Sequence, residues 1–352
     1  MKSWFINFVL ILASLFVAFI LAETALRFLH ITIPLTLSDR ALGLIYRPGI
    51  TQQGSNSESG RSITVHINSE GFRDDEWRNA SSSHNVLVVG DSFVTAFEVA
   101  KEERFTELLE GQFNASSTDT WQVLNAGIAG TGPDTYLARV KKYDPIFSPA
   151  YTVVVIYNGN DFQNINYDLT PAGGRKNYAV KNGTVVPYTD LASFTERIKW
   201  ETKLLLSHSY IVQLMHDRLI KARYAGSATP ENLPTLPEYC TVPEADLNNS
   251  FTIMSELLKE LDTASRHITI LVSIPDKNQL RDDVPVSCDV NKIENYLAGE
   301  AQRLNIPFIS IYDYFKPLNE ELYFAGHLNP LGHQIVADAL AKVIRSLEST
   351  TP

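Results

Sequence analysis

Four short stretches of the 352-residue chain gather side chains that can move a proton or stabilise developing charge. Gly90-Asp91-Ser92-Phe93 carries a hydroxyl, and Asn125-Ala126-Gly127-Ile128-Ala129-Gly130-Thr131-Gly132 is glycine-rich. Asn158-Gly159-Asn160-Asp161 offers amides, and Tyr323 to His333 holds two imidazoles, His327 and His333. A serine hydroxyl becomes a competent nucleophile only when an imidazole accepts its proton. The tetrahedral intermediate that follows needs donors aimed at its oxyanion. Serine, histidine and a set of glycine and asparagine amides therefore point to acyl transfer. In that chemistry Ser92 is the nucleophile and His327 the base, with His333 the second candidate base. The N–H groups of Ser92 and Gly130 and the side-chain amide of Asn160 are the oxyanion donors. Asp91 braces the serine loop and Asp161 caps a helix, while Gly127 and Gly132 serve a tight turn. His30, His66, His84, His208, His216 and His267 have no metal-ligand spacing, so no metal is implied.

Ser92 and His327 lie 235 positions apart, so only the fold can bring them together. Asn85-Val86-Leu87-Val88-Val89, Gln122-Val123-Leu124, Thr152 to Ile156, His267 to Val272 and Pro307 to Ile311 are short apolar runs, each predicted as a strand. Helical patterns fall near 102–112, 133–143, 248–263, 289–303 and 332–347. In the last, Ile335, Val336, Ala339, Leu340, Val343 and Leu347 line one face. Continuous apolar strands alternating with helices predict a parallel sheet covered on both faces, a three-layer α/β/α sandwich with five strands. The loops that leave the carboxyl ends of parallel strands share one edge, where ligands bind. All four reactive stretches fall on such loops. The predicted division is 1–27 as an apolar N-terminal segment, 28–83 as an extension, 84–163 with 248–349 as the α/β domain, and 164–247 as an insertion. The extension includes a strand at Ser62–Ile67 and a turn at Asn68-Ser69-Glu70-Gly71. The insertion includes a hairpin turning at Asn182-Gly183 and a helix over 203–222.

Gly90-Asp91-Ser92-Phe93, Gly130, Gly159-Asn160-Asp161 and His327 resemble, in order and placement, the four sequence blocks of the SGNH (GDSL-like) hydrolases over about residues 84–347. Asn68 to Asp74 resembles the lead-in of membrane-anchored or exported bacterial members. The resemblance implies a flavodoxin-like fold, an acyl-ester substrate such as an O-acylated envelope or extracellular glycan, and no cofactor. One block departs from the family pattern. An Asp two or three residues before the catalytic His normally holds its second nitrogen, and those positions here are Ala325 and Phe324. A backbone carbonyl, Asp313, Glu320 or Glu321 is then left to orient the ring. The alternative is a protein that binds a glycan or an envelope partner without turnover.

Trp4 to Ala22 runs nineteen residues without a charge, enough for a helix of about 28 Å, close to the thickness of bilayer hydrocarbon. A membrane anchor is the expectation, with a cleaved signal peptide the alternative; both export the remainder. In an oxidising compartment Cys240 and Cys288 are candidates for a disulfide, with two separate buried thiols the alternative. The composition excludes other classes. Forty acidic against thirty basic residues give a net charge of −10, which disfavours nucleic acid as a partner. Two cysteines rule out a disulfide-dense miniature fold, and they lack the spacing of a zinc site.

Overall fold

The computed structural model describes residues 2–29, 35–78, 83–116, 120–169, 177–187, 190, 192–224 and 236–350. The chain begins with helix α1 (Lys2–Phe28), followed by antiparallel pairs β1 (Thr36–Asp39) with β2 (Gly43–Tyr46) and β3 (Thr51–Ser55) with β4 (Ser62–His66). The α/β layers then follow: β5 (Ser83–Gly90), α2 (Ser92–Thr95), α3 (Phe105–Ser116), β6 (Thr120–Gly127), α4 (Pro133–Phe147), β7 (Tyr151–Tyr157) and α5 (Asp161–Asn164). A hairpin of β8 (Tyr178–Lys181) and β9 (Thr184–Pro187) leads to α6 (Phe194–Leu206) and α7 (Tyr210–Tyr224). The chain returns through α8 (Glu244–Ala264), β10 (Ile268–Ile274), α9 (Lys292–Leu304), β11 (Phe308–Ser310), α10 (Tyr312–Phe315) and α11 (Pro330–Thr350).

Five strands form one parallel sheet in the spatial order β11-β10-β7-β5-β6. Counted along the chain, this is the 2-1-3-4-5 order of a flavodoxin-like doubly wound fold. The strands are apolar throughout because both faces are covered. Leu87, Val89, Leu124, Val154 and Leu271 point into one core with residues of α4, α8 and α9. Val86, Val88, Val123, Val153 and Val272 point into the other with residues of α3 and α11. The β5/β7 boundary is where strand order reverses, and Ser92 follows β5 directly.

Two of the predicted elements differ in detail. The helix expected near 102 begins at Phe105, because Lys101–Glu103 forms a single 3₁₀ turn and Arg104 is extended. The helix expected over 203–222 is broken at Ser207-His208-Ser209 into α6 and α7. Ser207 is buried against β1, where its hydroxyl accepts from the Ser38 amide at 3.4 Å. Arg47 also donates to its carbonyl at 2.9 Å. The hairpin turns at Asn182 and Gly183, both with positive φ, as the Asn-Gly pair predicts. Cys240 and Cys288 are joined in a disulfide with Cα atoms 5.5 Å apart.

Candidate active site

Ser92 is the first residue of α2, at the sharp bend leaving β5. The bend is held by Asp91, whose carboxylate accepts the Phe93 amide at 2.9 Å and whose carbonyl accepts the Thr95 hydroxyl at 3.1 Å. Two glycines let the strand ends approach it. A Cβ on Gly90 would lie 2.3 Å from the Val94 side chain, and one on Gly127 would lie 2.5 Å from the Thr95 amide. Beneath the bend lies Arg139, fully buried on α4. Its guanidinium donates to Gly90 O at 2.9 Å and Ala126 O at 3.0 Å, and also to Thr131 Oγ1 and Thr135 Oγ1. It therefore fastens together the ends of the two strands whose loops carry Ser92 and Gly130. Burial lowers its pKa to about 10, which leaves it charged at neutral pH.

Asn68 to Asp74 props the same loops from outside. Arg73 donates to the carbonyls of Thr95, Ala96 and Val99. Asp74 accepts the Asn125 amide at 2.9 Å and the Trp77 indole at 2.6 Å. Tyr46 links the two loops, its hydroxyl lying 3.3 Å from Thr95 Oγ1 and accepting the Ala129 amide at 2.7 Å.

His327 sits on a tight loop before α11. Phe324 N donates to His327 O at 2.8 Å, Tyr323 OH donates to Pro275 O at 2.6 Å, and Asn329 Oδ1 caps the helix through the Leu331 and Gly332 amides. This loop carries the imidazole to the serine, with Nε2 2.9 Å from Ser92 Oγ. His333 lies elsewhere, buried and packed on the Phe105 ring, and burial pushes its pKa down to about 3.

The second nitrogen of His327 is held by a residue that the sequence reading did not single out. Nδ1 lies 2.9 Å from Oε1 of Glu58. The other carboxylate oxygen accepts the backbone amides of Gly326 at 3.0 Å and His327 at 3.2 Å. Glu58 is carried by the turn between β3 and β4, where Asn56 Oδ1 accepts the Glu58 and Ser59 amides. A paired contact of Arg61 with Glu103, at 2.7 and 3.0 Å, ties that turn to the α/β domain. Asp313 and Glu321 are exposed and take no part, and the side chain of Glu320 lies outside the described residues. Ala325 is exposed as well. The four blocks held no trace of Glu58, because an acid in a hairpin turn looks in sequence like any solvated turn residue.

A second carboxylate, Glu98, lies 3.6 Å from Nδ1 and is buried, with Oε2 making no hydrogen bond among the described residues. The hydrogen bond from His327 lowers the Glu58 pKa to about 2, so it stays ionised. Burial opposes charge on the imidazole, yet the Glu58 hydrogen bond and the field of Glu98 outweigh it and hold the His327 pKa above its usual value. Burial raises the Glu98 pKa. Glu58, Glu98 and His327 bring one ligand atom each within 4.8 Å of one another. Within that trio Nδ1 is hydrogen-bonded to Glu58.

Ser92, His327 and Asn160 line one cavity of about 410 Å³, together with Phe93, Tyr157 and Asp276. Asn160 precedes α5, and its Oδ1 is buried without a partner among the described residues. Gly130 lies on the loop after the neighbouring strand β6, exposed and with φ of 71°, and it does not line that cavity. Asp161 is fully buried and accepts from Tyr136 OH at 3.0 Å and the Tyr157 amide at 3.0 Å. Burial drives its pKa well above the usual range. Burial likewise raises Asp91 to about 6. Both carboxyls are structural braces beneath the rim; Asp161 is the first residue of α5 and does not cap it as the sequence suggests, because its carboxylate is taken by Tyr136 and Tyr157.

No family model matches the chain, and no curated protein does. Solved structures similar to it include a lipase/acylhydrolase from Enterococcus faecalis (12% identity over 75% of this chain and 96% of that one, TM-score 0.42). Others are the psychrotrophic esterase EstA from a Pseudoalteromonas species (12%, 76% and 100%, TM-score 0.41) and a lipolytic G-D-S-L protein from Veillonella parvula (10%, 74% and 97%, TM-score 0.39). At such low identities and scores these likenesses add nothing to the site, whose reading rests on its own geometry. The class that the sheet order defines is the flavodoxin-like α/β sandwich.

Proposed function

We propose that the chain is an exported, membrane-anchored ester hydrolase or acyl transferase of the SGNH type, working through a Ser92–His327–Glu58 triad. The observation that carries this reading is the unbroken relay from Ser92 Oγ to Nε2 at 2.9 Å and from Nδ1 to Glu58 at 2.9 Å. Ionised Glu58 accepts from Nδ1–H and so selects the tautomer whose Nε2 is free to take a proton. Ser92 Oγ attacks the acyl carbonyl as its proton passes to Nε2, and Glu58 stabilises the imidazolium. The Ser92 amide and the Asn160 side chain donate to the oxyanion, while Gly130, outside the cavity they line, is left without that role. Collapse expels the alcohol, protonated by His327, and leaves an acyl-serine. His327 then deprotonates water, releasing the acid, or an acceptor hydroxyl, forming a new ester.

The substrate class is an O-acyl ester, with an envelope or extracellular glycan as its carrier. The lack of an acid at Ala325 and Phe324 is what favours a non-catalytic binder, and Glu58 beside Nδ1 supports turnover in its place. Helix α1 is long and apolar enough to cross a membrane, with a mean hydropathy of 2.7 and its apolar run unburied, which supports anchoring. A fluorophosphonate probe tests the chemistry. The wild type should be labelled and Ser92→Ala should not; an unreactive wild type that is folded by circular dichroism would refute the triad.

A further inference from the structure

Helices α6 and α7 leave an apolar surface uncovered. Beyond residue 29, half of the large apolar side chains exposed among the described residues lie on these two helices: Phe194, Ile198, Leu205, Leu206, Met215 and Leu219. Phe194, Ile198 and Leu205 follow one another at spacings of four and seven, which puts them on a single helical face, and Met215 and Leu219 are four apart on the next helix. On the opposite side of α6, Ser207 is buried against β1, where its hydroxyl accepts the Ser38 amide. Glu201 lies at the edge of the apolar face itself, seven residues after Phe194, and makes an exposed paired contact with Arg40 at 2.9 and 2.6 Å.

The location of this pair is fixed by α1 itself. The apolar run of α1 ends at Ala22, and the next residue, Glu23, caps α7. Its carboxylate accepts the Tyr210 amide at 2.9 Å, the Ile211 amide at 3.2 Å and the Ser209 hydroxyl at 3.0 Å. One turn further on, Arg27 donates to His208 O at 2.8 Å and lies over the Tyr210 ring. Thus α7 starts within a helical turn of the point where the apolar run of α1 stops.

We infer that α6 and α7 lie in the membrane interface, with their exposed apolar face inserted at the headgroup–acyl boundary of the leaflet that α1 leaves. The occupant of this face is lipid. The surface is continuous with the span, and an amphipathic helix buries its apolar stripe at this depth. A bare patch of this kind marks an interaction site. The inference rests on α1 being an anchor and is independent of the catalytic reading.

Nitroxide labels at single introduced cysteines test it in the full-length protein, with the native pair left disulfide-bonded. The variants are Leu205→Cys, Leu219→Cys, Leu12→Cys within α1, and Lys259→Cys at an exposed position of α8. They are reconstituted in vesicles of phosphatidylcholine and phosphatidylglycerol. Collisions with membrane-dissolved oxygen are compared with collisions with a water-soluble nickel chelate. Positions 205 and 219 should favour oxygen several-fold over position 259, as position 12 does. If position 12 meets lipid while 205 and 219 match 259, the docking inference falls and the anchor stands. If position 12 also meets water, both fall. Dipolar broadening between copies at 205 and 219, in place of oxygen contact, would assign the face to a second copy and overturn lipid as the occupant.

Discussion

Glu58→Gln should harm the enzyme more than Glu58→Ala, although it changes the shape less. In the wild type one Glu58 oxygen accepts two backbone amides, of Gly326 and His327, and the other faces Nδ1. A glutamine has one acceptor oxygen, and two amides demand it. Its NH₂ then points at Nδ1 and donates, which forces the imidazole proton onto Nε2. His327 would present a donor to Ser92 where an acceptor is required. Removing the charge of a triad acid by such an isosteric change lowers turnover by roughly 10⁴-fold in a serine protease, about 5.4 kcal/mol of barrier. Alanine leaves Nδ1 unconstrained, with the Glu98 carboxylate 3.6 Å away and able to accept in part. Its cost should be about 10²- to 10³-fold, within the range for displacing a general base. The assay is kcat/KM on p-nitrophenyl acetate at neutral pH, with thermal melts to verify folding. If Gln retains activity within about tenfold of wild type, or exceeds Ala, Glu58 does not set the tautomer and the relay is wrong.

Three other outcomes follow from the same geometry. Catalysis needs His327 neutral, and its pKa is held above the usual value in part by Glu98, so activity is lost as pH falls through that raised value. Glu98→Gln should lower it and move the acidic limb of the kcat/KM profile to lower pH; an unmoved or upward-shifted limb would show that Glu98 has no hold on the ring. Ala325→Asp, which places an acid where the SGNH pattern has one, at an exposed position, should leave the rate nearly unchanged because Nδ1 is already engaged, and a large gain in kcat would displace Glu58 from its role. Replacing both Cys240 and Cys288 by serine opens a loop of sequence separation 48 and should cost up to about 4 kcal/mol in urea unfolding. It should also raise KM, since Leu236 and Glu238 beside the bond line the Ser92 cavity; an unchanged midpoint would mean the cross-link constrains nothing.

The sequence by itself determined the parallel sheet, because runs such as Val86–Val89 and Thr152–Ile156 can bury both faces only between two helical layers. It also determined the apolar α1, and it placed Ser92, Asn160 and His327 on loops at one edge, since their order along strands and helices leaves little freedom once the sheet is parallel. Tertiary structure decided the rest. The partner of His327 Nδ1 comes from residue 58, 269 positions away in an extension held to the domain by Tyr46, Arg73, Asp74 and the Arg61–Glu103 contact. No periodicity or spacing encodes a contact made by a turn folded back across the sheet edge. The break between α6 and α7 was hidden for the same reason: residues 203–222 are helical in pattern, and only burial of Ser207 against β1 and the Glu23 cap from α1 stop one helix and start the next. Local sequence fixes which elements form; the charges and amides that elements offer one another decide where they end and which side chains they bring within reach.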